Sequence, residues 1–331
     1  MEYTILEKIG KGGFGNVYKA KHKITNDIVA LKTISLKSHK QISNKIKNEL
    51  KVSKTLIHPN IVKYYDAYYN NKTVAIIYEF CDGDTLKTFI KKLHMSSIDN
   101  LQKEIICKKI LCQIKNAIEY MYTRNVVHRD LKPENILFKK ENNNYVIKLI
   151  DFGFSRFIST SNIDTNGNVN INISTCGTPF FMAPEMLCGQ CYNIKADLWS
   201  FGIMMYQLLY NKMPYQNVNN YSDLINKIKN ETIHYDNIYS EQCIHLLKLL
   251  LNNDSDSRIS WEQFINDKWF CIDNIEITEE EMIFDIKNLS FDTYISTYTS
   301  TYTSSEKEKN IIECSGRTIE LSFEEEYVIL N

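Results

Sequence analysis

The sequence predicts an α+β chain in which strands come first and helices follow. Residues 3–35 are rich in β-branched and aromatic residues and are punctuated by glycine. Residues 101–123 carry apolar side chains at helical spacing, and helical patterns recur at 195–211 and 240–252. The texture changes at "EFCDGDTL", residues 79–86, where Gly83 and its flanking aspartates mark a turn.

In chain order, "YTILEKIG" (3–10) and "IVALKTI" (28–34) read as strands. Between them Gly10, Gly12 and Gly15 follow a G-x-G-x-x-G spacing, with Val17 two places on. A dinucleotide turn would open a helix here; "NVYKAKH" is strand-like instead, so the glycines sit at a hairpin tip. Lacking Cβ, they let backbone amides approach phosphate oxygens, although an ordinary glycine-rich turn has the same pattern. "KQISNKIKNELKVSKTL" (40–56) reads as a helix with Ile42, Ile46, Leu50 and Val52 on one face, stopped by "HPN". "TVAIIYEF" (73–80) is a short apolar strand, and 101–123 a long helix. The folded part is expected to end between 270 and 290. Beyond it, "STYTSTYTSS" (296–305) repeats a short unit without bulky aliphatic residues and reads as disordered.

Of the 331 residues 44% are hydrophobic and 24% charged, the balance of a soluble globular protein. A net charge of −1 gives no reason to expect a nucleic acid as partner, and the apolar runs fall short of a membrane span. Met1 leads straight into a periodic segment, so no signal peptide is expected. The nine cysteines are scattered; Cys188 and Cys191 form a lone C-x-x-C without a second pair to complete a zinc site. Free thiols in a reducing compartment follow, and with them a cytoplasmic location.

Five positions carry chemistry. Lys32 ends a strand, where it can anchor phosphates or face water; Glu49, mid-helix, is the carboxylate that would hold it in place. "VVHRDLKPENILF" (126–138) sets Asp130 and Asn135 five residues apart across a proline-bearing loop. Asp130 can accept a hydroxyl proton and Asn135 can ligate a divalent ion. "KLIDFGFSRF" (148–157) adds Asp151, an acid at a strand end, and magnesium favours such oxygen ligands together with phosphate and water.

Together these motifs resemble the eukaryotic-type protein kinase family over residues 3–270. The resemblance implies a bilobal fold: a small lobe (3–80) with a five-stranded antiparallel sheet and one helix, and a mostly helical large lobe (81–270), followed by a tail (271–331). It implies ATP and Mg2+, with Gly10, Gly12 and Gly15 over the phosphates and Lys32, paired with Glu49, on the α- and β-phosphates. Ile9, Val17, Ala30, Tyr78 (the gatekeeper), Glu79, Cys81 and Leu137 would complete the ATP site. Asp130 would be the catalytic aspartate, Asn135 and Asp151 the metal ligands, and Lys132 would point at the γ-phosphate.

"DLKPEN" and "CGTPFFMAPE" resemble the serine/threonine branch, so the substrates implied are protein Ser and Thr hydroxyls, with Thr178 positioning them beside Asp130. Glu185 would pair with Arg258, and Asp197 would brace the catalytic loop. Ser174 and Thr175 stand where an activating phosphate, paired with Arg129, usually falls. One position departs from the pattern. Four residues past Glu49, such kinases place a bulky apolar residue that stacks on the DFG aromatic, here Phe152; this chain has Ser53, and the lost burial is expected to weaken the active arrangement. "IKLIDFGFSRFI" and "KADLWSFGIMMYQLLYNKMPYQ" look most like the autophagy-initiating (ULK) group. The tail's "SFEEEYVILN" resembles the short motif that binds ubiquitin-like autophagosome proteins by strand addition, with Tyr327 and Leu330 as anchors; the alternative is a strand packed on the kinase itself. A non-catalytic pseudokinase or scaffold working through the tail is the competing reading.

Overall fold

The computed structural model describes residues 2–12, 15–36, 44–70, 72–157, 179–190 and 194–282, with the backbone of 328–329. β1 (Tyr3–Gly12), β2 (Gly15–His22) and β3 (Ile28–Ser35) form an antiparallel meander, as their β-branched content predicts. α1 (Asn44–Thr55) follows, then β4 (Tyr64–Tyr69) and β5 (Thr73–Glu79). The strand order is β1-β2-β3-β5-β4, every pair antiparallel. Alternation along the strands sorts side chains onto two faces. Val29, Leu31, Ala75 and Ile77 build a small cluster on one. Ile34, Val74, Ile76 and Tyr78 face α1 on the other, where Ile46, Glu49, Leu50, Val52 and Ser53 are buried.

At the change of texture Gly83 donates its amide to the Phe138 carbonyl at 3.0 Å. A Cβ there would stand 2.6 Å from that oxygen, so this close approach requires glycine. α2 (Leu86–Met95) starts from Thr85, whose hydroxyl caps the Thr88 amide. α3 (Asn100–Thr123) starts from an Asp99 cap and is the long helix read from its periodicity. β6 (Val126–Val127) leads through residues 128–135 to the hairpin β7 (Ile136–Glu141) and β8 (Asn144–Leu149); β9 (Arg156–Phe157) pairs back onto β6.

The helical remainder is α4 (Pro184–Leu187), α5 (Lys195–Tyr210), α6 (Tyr221–Asn230), α7 (Glu241–Leu250) and α8 (Trp261–Ile265). It ends with β10 (Ile277–Thr278), paired to β8, and α9 (Glu279–Met282). α5 is apolar nearly all round because it is buried nearly all round, with Trp199 and Phe201 fully enclosed. Arg258 and Glu185 meet beneath it in a bidentate pair of 2.8 and 3.0 Å.

β11 (Val328–Ile329) adds to the outer edge of β4, with Val328 opposite Tyr69 and Ile329 opposite Tyr68. Three elements were not legible residue by residue. "YYDAYY" of β4 carries an aspartate and no branched aliphatic residue, so its partner β5 decides its state. α2 falls inside the change of texture, and α6 buries only Leu224 and Ile228. Ile42, Cys191 and the 296–305 repeat lie outside the described residues.

Candidate active site

The sheet sets the first group. Val17 pairs with Lys32, and Ala30 with Tyr78, so their side chains share one face; Gly10 lies opposite Val17. Lys32 is 7% exposed, and its Nζ donates to Glu49 Oε1 at 2.6 Å and to Asp151 Oδ1 at 2.9 Å. Burial works against the ammonium, but the two carboxylates more than offset it and hold the lysine charged far above neutrality. Burial also pushes Glu49 up, and the ammonium opposes it. For Asp151 the lysine wins over burial and the carboxyl is held below its usual range. The three side chains come from β3, α1 and the segment after β8, so this contact joins the two lobes.

The second group lies on the loop between β6 and β7. Asn135 donates its side-chain amide to the Asp130 carbonyl at 2.8 Å and to Asp130 Oδ2 at 3.0 Å. Lys132 Nζ donates to the same Oδ2 at 2.8 Å. At the site Arg129 (φ 66°) and Asp151 (φ 64°) hold left-handed backbone, a strain that persists only where surroundings enforce it. At Arg129 the enforcing group is Asp197, buried in α5, whose carboxylate accepts the amides of His128 and Arg129 at 2.8 and 2.9 Å. Burial pushes the Asp197 carboxyl up, against those two amides. The groups meet through the backbone, where the Ile150 amide donates to the Asn135 carbonyl at 2.9 Å. Lys32, Asp151, Asn135, Asp130 and Lys132 therefore lie along one continuous path.

Helix α1 is tied to the segment after Asp151. Asn48 donates its side-chain amide to the Ser155 carbonyl, and Lys45 lies 3.7 Å from the Phe154 ring centre. Phe152 is 1% exposed and sits edge-on to His128, whose imidazole burial keeps neutral. Ser53 differs from the sequence expectation. Its hydroxyl is satisfied in the core by the Tyr78 hydroxyl at 3.1 Å, so the departure brings a new polar contact. Sequence reading missed this pair, because nothing local couples residues 25 positions apart.

Other candidates fall as follows. Glu79 spends its carboxylate on the Lys63 amide at 2.7 Å and Lys139 at 2.9 Å, and its own amide on the Lys63 carbonyl at 2.9 Å. Cys81 is half-buried, Ile9 exposed, and Leu137 lies on β7, bridged to Thr85. Thr178, Ser174, Thr175, Tyr327 and Leu330 lie outside the described residues.

The donor set suits magnesium. Among the described residues no group of three or more His, Cys, Asp or Glu is placed to hold a metal unaided. Asp151 offers a carboxylate, and Asn135, with its amide nitrogen used by Asp130, offers its amide oxygen. Such a cation would take its other ligands from phosphates and water, as magnesium does.

The protein kinase domain family matches residues 3–270. The chain is 35% identical over 283 residues to a chain of Acanthamoeba polyphaga mimivirus that carries the name serine/threonine-protein kinase R517/R518, covering 79% of this chain and 61% of that one. It is 32% identical over 280 residues to serine/threonine-protein kinase atg1 of Dictyostelium discoideum, covering 82% and 40%. It is 36% identical over 267 residues to calcium-dependent protein kinase 5 of Plasmodium berghei, covering 80% and 44%. The chain thus spans less than two thirds of the length of each of these curated relatives.

Proposed function

Because this chain belongs to the protein kinase domain family, we propose that it is a serine/threonine kinase, transferring the terminal phosphoryl group of ATP to protein Ser and Thr hydroxyls. The observation that carries the reading is the convergence of Lys32, Glu49 and Asp151 with Asp130, Lys132 and Asn135. In phosphoryl transfer the protein mainly positions reactants and stabilises charge. Lys32, held by Glu49, grips the α- and β-phosphates, while Gly10, Gly12 and Gly15 bring amides over them. Asp130 orients the attacking hydroxyl and receives its proton as the new P–O bond forms and the bond to the β-phosphate oxygen breaks. Lys132 stands beside Asp130 to meet charge on the γ-phosphate. Asn135 and Asp151 would hold magnesium, which supplies positive charge at the phosphates. Thr178 aligns the substrate, and a phosphate on Ser174 or Thr175 pairs with Arg129.

The test is label transfer from γ-labelled ATP to a degenerate peptide library. Lys32→Met and Asp151→Asn are expected to remain folded and lose transfer; if both label peptide as well as the parent, the assignments are wrong. The scaffold alternative finds no support in relatives that are all named as kinases.

We further place the protein in the cytoplasm and near autophagy. The grounds are its cysteine usage, the similarity to atg1, and the tail. No helix among the described residues is long and apolar enough to cross a membrane. Tyr327 and Leu330 would fill pockets of a ubiquitin-like partner while the intervening backbone adds to its sheet. Residues 328–329 pair with β4 in this chain, so docking on a partner requires their release. Pull-down with the ubiquitin-like protein decides the matter: loss on Tyr327→Ala with Leu330→Ala supports the motif, and equal binding disposes of it.

A further inference from the structure

We propose that Ser53 is a positioning residue: from α1 its hydroxyl engages the Tyr78 hydroxyl of β5 and keeps it off Glu49, which leaves Glu49 to Lys32. This inference rests on the kinase reading for its catalytic consequence, although the pair itself can be tested without it.

The geometry is specific. Ser53 lies four residues after Glu49, one helical turn on, and so on the same face of α1. Glu49 is 1% exposed, Ser53 3% and Tyr78 8%. Tyr78 is also fixed from behind, its ring edge-on to Tyr64 with centroids 6.2 Å apart. The phenol lies within electrostatic reach of both Glu49 and Lys32, and burial, then Glu49, raises its pKa so that it remains a donor. A serine oxygen 3.1 Å away gives that donor a partner other than Glu49. Glu49 is thereby left to Lys32, at 2.6 Å.

The pair is asymmetric, and this makes it testable. A helical serine that loses its partner can turn its hydroxyl onto the carbonyl four residues back. A buried phenol that loses its partner has no such local acceptor, and an unsatisfied buried donor is the more harmful defect. Without Ser53 the Tyr78 hydroxyl competes with Lys32 for Glu49. Ser53→Ala is therefore the damaging substitution, Tyr78→Phe alone reads what the phenol hydroxyl itself contributes at the ATP site, and adding Tyr78→Phe to Ser53→Ala removes the stray hydroxyl.

The experiment uses the full chain with these three variants and Ser53→Thr, which keeps a hydroxyl. Two readouts are taken: kcat and KM for ATP in peptide phosphorylation, and hydrogen exchange of the amides of residues 44–55 without nucleotide. Ser53→Ala is expected to lower kcat and speed exchange by about tenfold, with KM for ATP moving by less than about threefold. Ser53→Thr should hold near the parent, and the double variant should recover most of the Ser53→Ala loss in both readouts. If Ser53→Ala leaves exchange and kcat unchanged, or Tyr78→Phe deepens its loss, the inference is overturned. If exchange shows the rescue while the parent transfers no phosphate, the pair stands and the kinase reading fails.

Discussion

Replacing Arg258 with methionine probes the electrostatics that hold the large lobe together. Arg258 is 1% exposed and is held at four points. Its guanidinium meets Glu185 twice, and it donates to the Lys195 carbonyl at 3.0 Å and the Asn252 carbonyl at 3.1 Å. The guanidinium also lies 5.1 Å from the Trp199 ring centre. Methionine fills a similar volume but leaves Glu185, itself 6% exposed, as a buried charge without its partner. Breaking one side of such a pair costs about 3–5 kcal/mol. At roughly 2–4 °C per kcal/mol for a domain of this size, Tm should fall by about 10 °C. Glu185→Gln with Arg258→Met removes both charges and should return at least half of that loss. Thermal unfolding followed by circular dichroism reads both variants. A single variant melting within about 2 °C of the parent would refute the argument, because the pair would then not hold a charge that burial penalises.

Other expectations are as specific. A Cβ on Gly15 would sit 1.7 Å from the Thr33 carbonyl oxygen, whereas one on Gly10 would meet nothing closer than Val17 Cβ at 3.8 Å. Gly15→Ala should therefore lower stability by about 1–3 kcal/mol along with nucleotide affinity. Gly10→Ala should weaken only the nucleotide, and an unchanged affinity would argue against glycines over phosphates. Folding lowers the Asp151 carboxyl because Lys32 outweighs burial. Its contribution is present above the unfolded value, near pH 4, and is lost as pH falls through the native one. The stability gap between parent and Asp151→Asn, read by urea unfolding, should then narrow between about pH 5 and pH 3; a constant gap would contradict this. Burial pushes Cys112 up to about 11 and Cys81 up to about 12, and Cys107 and Cys243 are fully enclosed, while Cys188 and Cys271 are exposed. A maleimide at about pH 7.5 should label Cys188 and Cys271 and spare Cys81, Cys107, Cys112 and Cys243 until denaturant is added; labelling of Cys107 in the native protein would show the core to be wrong.

The sequence was most informative where one physical constraint acts over a short stretch. The 3.6-residue repeat of 101–123 became α3, and the glycine spacing became the β1–β2 hairpin tip. "HRDLKPEN" was legible because a strained turn, a base and an amide donor must lie within eight residues to meet. Long-range pairs were harder to read: Glu49 was a candidate for Lys32 because a buried lysine needs a carboxylate, whereas Glu185 with Arg258 came only from the family resemblance. Ser53 shows the limit. Read alone it is a lost apolar contact, and its meaning depends on a tyrosine brought in by a different strand. The α1 ties through Asn48 and Lys45 escaped notice for the same reason, since a polar residue on a helix gives no sign of whether it faces water or a neighbouring loop.

The most direct test is calorimetric titration of a non-hydrolysable ATP analogue into the parent and into Asp151→Asn, each with and without magnesium. With Asp151 bonded to Lys32, and Asn135 joined to the residue before Asp151 through the Ile150 amide, the parent should bind the analogue more tightly when magnesium is present, and Asp151→Asn should lose that gain while retaining weak metal-free binding. A parent indifferent to magnesium, or a variant that keeps the full gain, would mean that these side chains do not meet at the nucleotide's terminal phosphates.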